Sequence, residues 1–257
     1  MKKLFPSLAA ATFALLPTLL AADIALVTTA PDKLLQQAVA NSRDWFRSNP
    51  QIALEYLQTI EIGDDDSLQQ QVRHIDERLP PEQRITLVSI DRQPPDDTAI
   101  AKFNKQRQQD LKSVDSDDDR RGPISLDGFD ISDARLVGQR EQRLVYEVPN
   151  AVHVMIGANN AGMAEHLRMK VEVDPDHIKG PYLTRLAVES IEPFKPGLLG
   201  KVEHFRMQMD LTLHDSGRLV MDRMDVDVRA SAMFRNIETR RRVRFSDYQA
   251  HPAAPAD

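Results

Sequence analysis

The chain has no cysteine. No disulfide can form, no lipid can be attached through a thioether, and no thiolate can serve a metal or a substrate, so stability has to come from packing and hydrogen bonds. Aromatic residues are scarce, at 5% with a single tryptophan, while charged residues make up 28%. The core must therefore be built mainly from Leu, Ile, Val and Met, a composition that suits a thin one-layer sheet with much solvent-facing area. Basic charge is in deficit as well, with a formal balance of −6. A nucleic-acid or anionic-membrane binder normally carries the opposite bias, so no nucleic acid is expected as a partner.

Catalytic and metal-binding patterns are missing too. The seven histidines, His74, His153, His166, His177, His204, His214 and His251, include no pair at ligand spacing. No serine sits in a nucleophile-elbow setting and no glycine-rich loop links a strand to a helix. Asp115, Asp117 and Asp119 resemble a calcium loop, but glycine arrives only at Gly122 and the twelfth position is Leu126 instead of glutamate. The chain is therefore read as a non-enzyme with no catalytic residues, no metal and no cofactor.

What is present begins with an export signal. Lys2 and Lys3 precede an apolar stretch from Leu4 to Leu20, and the small residues Ala21 and Ala22 supply a cleavage site. Residues 1–22 are read as a cleaved signal peptide, 23–250 as one domain and 251–257 as a disordered tail, and the location as periplasmic. Without Lys2 and Lys3 the mature chain holds 31 basic against 39 acidic side chains.

The segment Pro31–Ser48 places Leu34, Leu35, Ala38, Val39, Ser42, Trp45 and Phe46 on one helix face. Trp45 is expected to anchor that helix on a sheet. Ile52–Ile62 reads as a strand with a bulge where the apolar phase slips after Tyr56, and Leu68–Ile75 pairs with it as a hairpin. Arg84–Asp91 is the next strand. Pro94, Pro95, Asp96 and Asp97 open a thin-faced helix that ends near Val114 and, flanked by Pro94, Pro95 and Gly122, suits a lid. Strands are expected at Leu144–Val148, Leu167–Asp174, Leu183–Ile191, Phe205–Leu213, Leu219–Ala230 and Ile237–Phe245, with a bulge near Asp222 and Arg223. Arg240, Arg242 and Arg244 should face Asp222, Asp225 and Asp227 across a hairpin, and the alternative is phosphate or headgroup binding. Helix, strands, helix, strands is an α+β order without the crossover helices that parallel pairing needs.

The stretch VRHIDERLPPEQRITLVSIDRQ at Val72–Gln93, IEPFKP at Ile191–Pro196 and RFSDY at Arg244–Tyr248 resembles a group of uncharacterised exported proteins of Gram-negative bacteria. The element order is similar to that of the periplasmic lipoprotein carriers LolA and LolB. That resemblance implies a strongly curved antiparallel half-barrel, with the N-terminal helix and the mid-chain helix covering its concave face. Five methionines, Met207, Met209, Met221, Met224 and Met233, crowd three adjacent strands, and this flexible side chain suits irregular apolar surfaces. The expected ligand-binding wall is Leu167, Met169, Val171, Met207, Met209, Met221 and Met224. The expected function is a periplasmic binding or carrier protein for a hydrophobic small molecule, lipid or lipoprotein acyl chain, with an envelope protein as a further partner. A fully packed envelope interaction module and a periplasmic hydrolase are the alternatives.

Overall fold

The helix Pro31–Phe46 (α1) forms because Leu35, Ala38, Val39 and Ser42, spaced by three and four residues, are all buried while Lys33, Gln36, Gln37 and Asp44 stay wet. The computed structural model describes residues 31–46, 51–64, 67–113, 126, 129–152, 155, 161–197, 200–232 and 235–253. The expected leader, the acidic loop around Asp117, Gly122 and Met233 lie outside the described residues. After α1 come β1 (Ile52–Gly63), β2 (Leu68–Asp76), β3 (Ile85–Ile90), helix α2 (Asp97–Ser113), β4 (Arg135–Arg140) and β5 (Arg143–Glu147). A 3-10 turn at Pro149–Ala151 and a single helical turn at Ala161–Ala164 lead to β6 (Leu167–Asp174) and β7 (Tyr182–Ser190). The chain continues through β8 (Phe194–Gly197), β9 (Gly200–Leu213), β10 (Leu219–Ala232) and β11 (Arg235–Pro252).

All eleven strands join one antiparallel sheet in the order β3-β2-β1-β11-β10-β9-β7-β6-β5-β4, with β8 paired to the start of β9. The class is α+β and the sheet is not closed. The order puts β10 and β9 at its centre, and next to them the first strand pairs with the last, Ile52 opposite Pro252 through Gly63 opposite Arg240. β11 thus runs two residues past the expected domain end at 250.

Helix α1 is fastened to the start of β7. Asn41 donates its amide to the Pro181 carbonyl at 2.8 Å, and the fully buried Ser42 hydroxyl accepts the Leu183 N–H at 2.8 Å. The Trp45 ring meets Tyr182 at 5.8 Å, the anchoring role expected of it. Helix α2 starts where Asp96 accepts the Ala99 N–H at 2.7 Å, an N-cap that satisfies one of the helix's orphan donors. It sits at the β2–β3 end of the sheet: Arg107 donates to the Ile85 carbonyl and the Arg73 guanidinium lies 5.3 Å over the Phe103 ring.

Of the several register shifts in the sheet, two bear on the bulges expected from the sequence. Asp222 is the extra residue between Met221 and Arg223 where β10 meets β9, the place the parity change predicted. The other is not in β1. β1 pairs with β2 without a break, and opposite β11 the step from Glu55 to Leu57 spans Gln249 to Ser246, so the extra residue lies in β11, where Asp247 has φ 57°. Leu54, Tyr56, Ile60 and Ile62 keep one parity, and Leu57 simply faces the other way.

The β4–β5 hairpin turns through Glu141 (φ 49°) and Gln142 (φ 69°), both in the left-handed region that Asn-Gly normally fills. These exposed residues carry strain without a compensating contact. Substituting Glu141→Asn with Gln142→Gly is expected to raise the unfolding free energy by about 1 kcal/mol, measured by urea denaturation, because left-handed backbone costs about 1–2 kcal/mol for an ordinary residue.

Candidate functional site

The period-two alternation sorts the sheet into an apolar face and a charged face. On the apolar face Leu167, Met169, Val171 and Val173 of β6 stand beside Leu186 and Val188 of β7, then Met207, Met209 and Leu211 of β9, then Met221, Met224, Val226 and Val228 of β10. Val243 and Phe245 of β11 and Ile60 of β1 extend the row. Leu35, Ala38 and Val39 of α1 cover part of it and share one core with it, joined by Leu126 and Phe129.

The seven residues expected to line a ligand wall are on this face together, but they divide by burial. Leu167, Met169, Val171, Met209 and Met221 are at most 5% exposed and belong to the core. Met207 and Met224 are only half-buried and pack against it, and so do Phe205, Leu213 and Ala230. Val226 and Val228, the partners of Met207 and Phe205 across β10, are half-buried as well. The cover thus thins partway along β9 and β10, leaving a contiguous apolar strip that is only partly buried.

On this face a tyrosine pair closes the β1–β11 junction. Tyr248 donates to the Met221 carbonyl at 2.6 Å and its ring meets Tyr56 at 4.9 Å. Burial, with a smaller contribution from the Glu77 charge, pushes the Tyr56 phenol up to about 12, and burial raises Tyr248 further. Both groups have folded values above the ordinary 10, so the stability they represent is whole below pH 10 and is lost as pH rises from there through the folded values. Alkaline titration followed by phenolate absorbance is expected to leave these two neutral until about pH 12, with their ionisation coinciding with loss of the fold.

The opposite face is charged and ladder-like. One row runs Glu172, Arg185, Asp210, Arg223, Arg244 across β6, β7, β9, β10 and β11. The next runs Lys170, Ala187, Gln208, Asp225, Arg242, and the third Arg168, Glu189, Arg206, Asp227, Arg240. The expected pairing of the basic stripe with β10 is present in register, but the ion pairs differ: Arg240 reaches Asp227 at 3.6 Å, Asp225 is taken by Arg223 in the same strand, and Arg244 faces Arg223. Sequence reasoning missed that two neutral positions, Ala187 and Gln208, fall side by side in this ladder. Their spacing along single strands carried no sign of it, because only the register brings them together.

Among the described residues no group of His, Asp and Glu is arranged to hold a metal ion, and no helix is long and apolar enough to cross a membrane. The nearest approach to a ligand set is Glu55, with His74 Nε2 at 2.9 Å and His251 Nε2 at 3.0 Å. Its carboxylate is already claimed by Arg78 at 2.6 Å, and the His74 hydrogen bond, with help from the Arg78 charge, holds it below the ordinary carboxylate range. Comparison with known protein families, with curated proteins and with solved structures finds no match for this chain.

Proposed function

We propose that the protein is an exported, periplasmic, non-enzymatic binding or carrier protein that holds a lipid or acyl chain against the half-covered strip of its apolar face. In this reading the open sheet curves as a half-barrel in the manner of LolA and LolB, with α1 closing one end of the trough and α2 standing at the other as a lid. The observation that carries it is the step in burial along β9 and β10, where Met209 and Met221 are sealed while Met207 and Met224 are only partly covered. Methionine thioethers are polarisable and adapt to varied apolar shapes, which suits a loosely specific site. Covering roughly 200 Å² of such surface is worth on the order of 5 kcal/mol before the costs of association.

An envelope interaction module is the second reading, favoured by β4. All six of its residues are exposed at a sheet edge, including Leu136 and Val137, and a free edge can accept a strand from a partner.

The test is native mass spectrometry of protein recovered from the periplasm, followed by titration of the delipidated protein with a fluorescent fatty acid. A co-purifying lipid mass and saturable one-to-one binding, weakened by Met207→Glu and Met224→Glu, are expected. A bare chain that takes up no lipophile rejects the carrier and leaves the module.

A further inference from the structure

We propose that the charged face carries a second binding site, for a phosphate-bearing anion, in the hollow above Ala187 and Gln208. Two adjoining hollows of about 380 and 250 Å³ open there and share Arg140, Arg185, Arg206 and Gln208. Ala187, which projects only a methyl group among long neighbours in the ladder, opens the smaller one. The larger is ringed by six arginines, the three shared or adjacent ones at Arg140, Arg185 and Arg206 and the three of the β10–β11 hairpin at Arg223, Arg240 and Arg242, against only Asp225 and Asp227. A chain whose formal balance is −6 has concentrated positive charge in one place.

The carboxylates that line the two hollows are already engaged. Arg185 holds Asp210 at 2.6 Å and Glu172 at 3.1 Å, Arg223 holds Asp225, Arg240 holds Asp227, and Arg168 and Lys170 hold Glu189. Among the described residues Arg206 and Arg242 have no carboxylate within 4 Å, and the one hydrogen bond between them is from Arg206 to the Gln208 amide oxygen at 3.1 Å. They stand on β9 and β11 in adjacent rows of the ladder, with β10 between them, so their backbones are about 12 Å apart on the diagonal, a gap that two arginine side chains can close onto one phosphate or diphosphate. Guanidinium forks match phosphate oxygens in bidentate fashion, and a tetrahedral anion offers enough oxygens to engage both forks where a carboxylate fills one. The volume lies within the range of small-molecule sites. This site is on the face opposite the lipid strip and does not rest on that proposal.

Pyrophosphate is the probe, titrated by calorimetry into the full mature chain. Saturable binding is expected, weaker at high salt because the charges lie at an open surface. The double substitution Arg206→Gln with Arg242→Gln is expected to weaken it by about tenfold or more, as loss of bidentate charge-assisted contacts does. Neither arginine has a carboxylate within 4 Å among the described residues, and Arg242 has only Glu61 and the already engaged Asp225 opposite it in register, so this variant should shift the melting temperature little. Ala187→Gln, which fills the smaller hollow without changing the charge, is expected to weaken binding too, whereas Arg168→Gln, outside both hollows, is not. Co-sedimentation with phosphatidic acid vesicles, competed by pyrophosphate, identifies a lipid headgroup as the source of the phosphate, and its absence beside pyrophosphate binding identifies a free one. No saturable pyrophosphate binding, or equal affinity in the parent and the double variant, overturns the proposal.

Discussion

Leu186→Ala is expected to lower the unfolding free energy by about 3 kcal/mol, the largest single-residue effect in the sheet. Leu186 is fully buried in β7, opposite Val171 of β6 on one side and Met209 of β9 on the other. Helix α1 lies over the same strand through Ser42 and Leu183. Truncation removes the transfer free energy of the lost carbons and leaves a hole walled by three regular strands and a hydrogen-bonded helix, which have little freedom to collapse into it. Urea denaturation should show the shift in midpoint at an unchanged slope. Leu136→Ala on exposed β4 is the control, with a change within about 0.5 kcal/mol. Comparable losses at both positions would mean that the core is not where burial places it.

Glu77→Ala comes next, at about 2 kcal/mol. Glu77 follows β2 and reaches across the end of the sheet to Arg218, which precedes β10: the Arg218 Nη1 donates to its Oε2 at 2.5 Å, and the Leu54 N–H of β1 donates to the same oxygen at 2.9 Å. Arg218 is 12% exposed and retains only the Ile52 carbonyl at 3.3 Å when the carboxylate is removed. The variant therefore strands a mostly buried charge and a backbone donor together. The figure stays below that of a fully buried pair because Glu77 itself is 26% exposed and water reaches it. Glu77→Gln keeps an acceptor for Leu54 and should lose less than the alanine variant. Equal losses in the two would assign the whole effect to the charge, and no loss in either would remove the latch from the account.

How much of this was legible depends on whether a residue's role was local. The helix faces of α1, the alternation in β6, β9 and β10 and the extra residue at Asp222 follow from spacing, because side-chain direction has a fixed period in each element. β4 was missed because Arg135–Arg140 lies at an edge with both faces wet, so no alternation marks it, and because Glu141 and Gln142 give no turn signal although they adopt one. β8, read as loop, is four residues long and interrupted by Pro196. The irregularity inferred in β1 belongs to β11, since a phase slip read from apolar residues alone cannot distinguish a bulge from an apolar residue, Leu57, on the charged face. Register carries what remains. That β1 closes on β11, that Met209 and Met221 are sealed while Met207 and Met224 are not, and that Ala187 meets Gln208 are facts of long-range pairing and of where α1 comes to rest. No single stretch of sequence encodes them.

The lipid proposal turns on the half-covered methionines, and methyl NMR of protein labelled at the methionine methyl groups reads them directly during titration with a lysophospholipid. The Met207 and Met224 signals should shift progressively and saturate together while that of Met169, fully enclosed beneath the core, stays in place. Unmoved signals from Met207 and Met224 at saturating lipid would contradict the account.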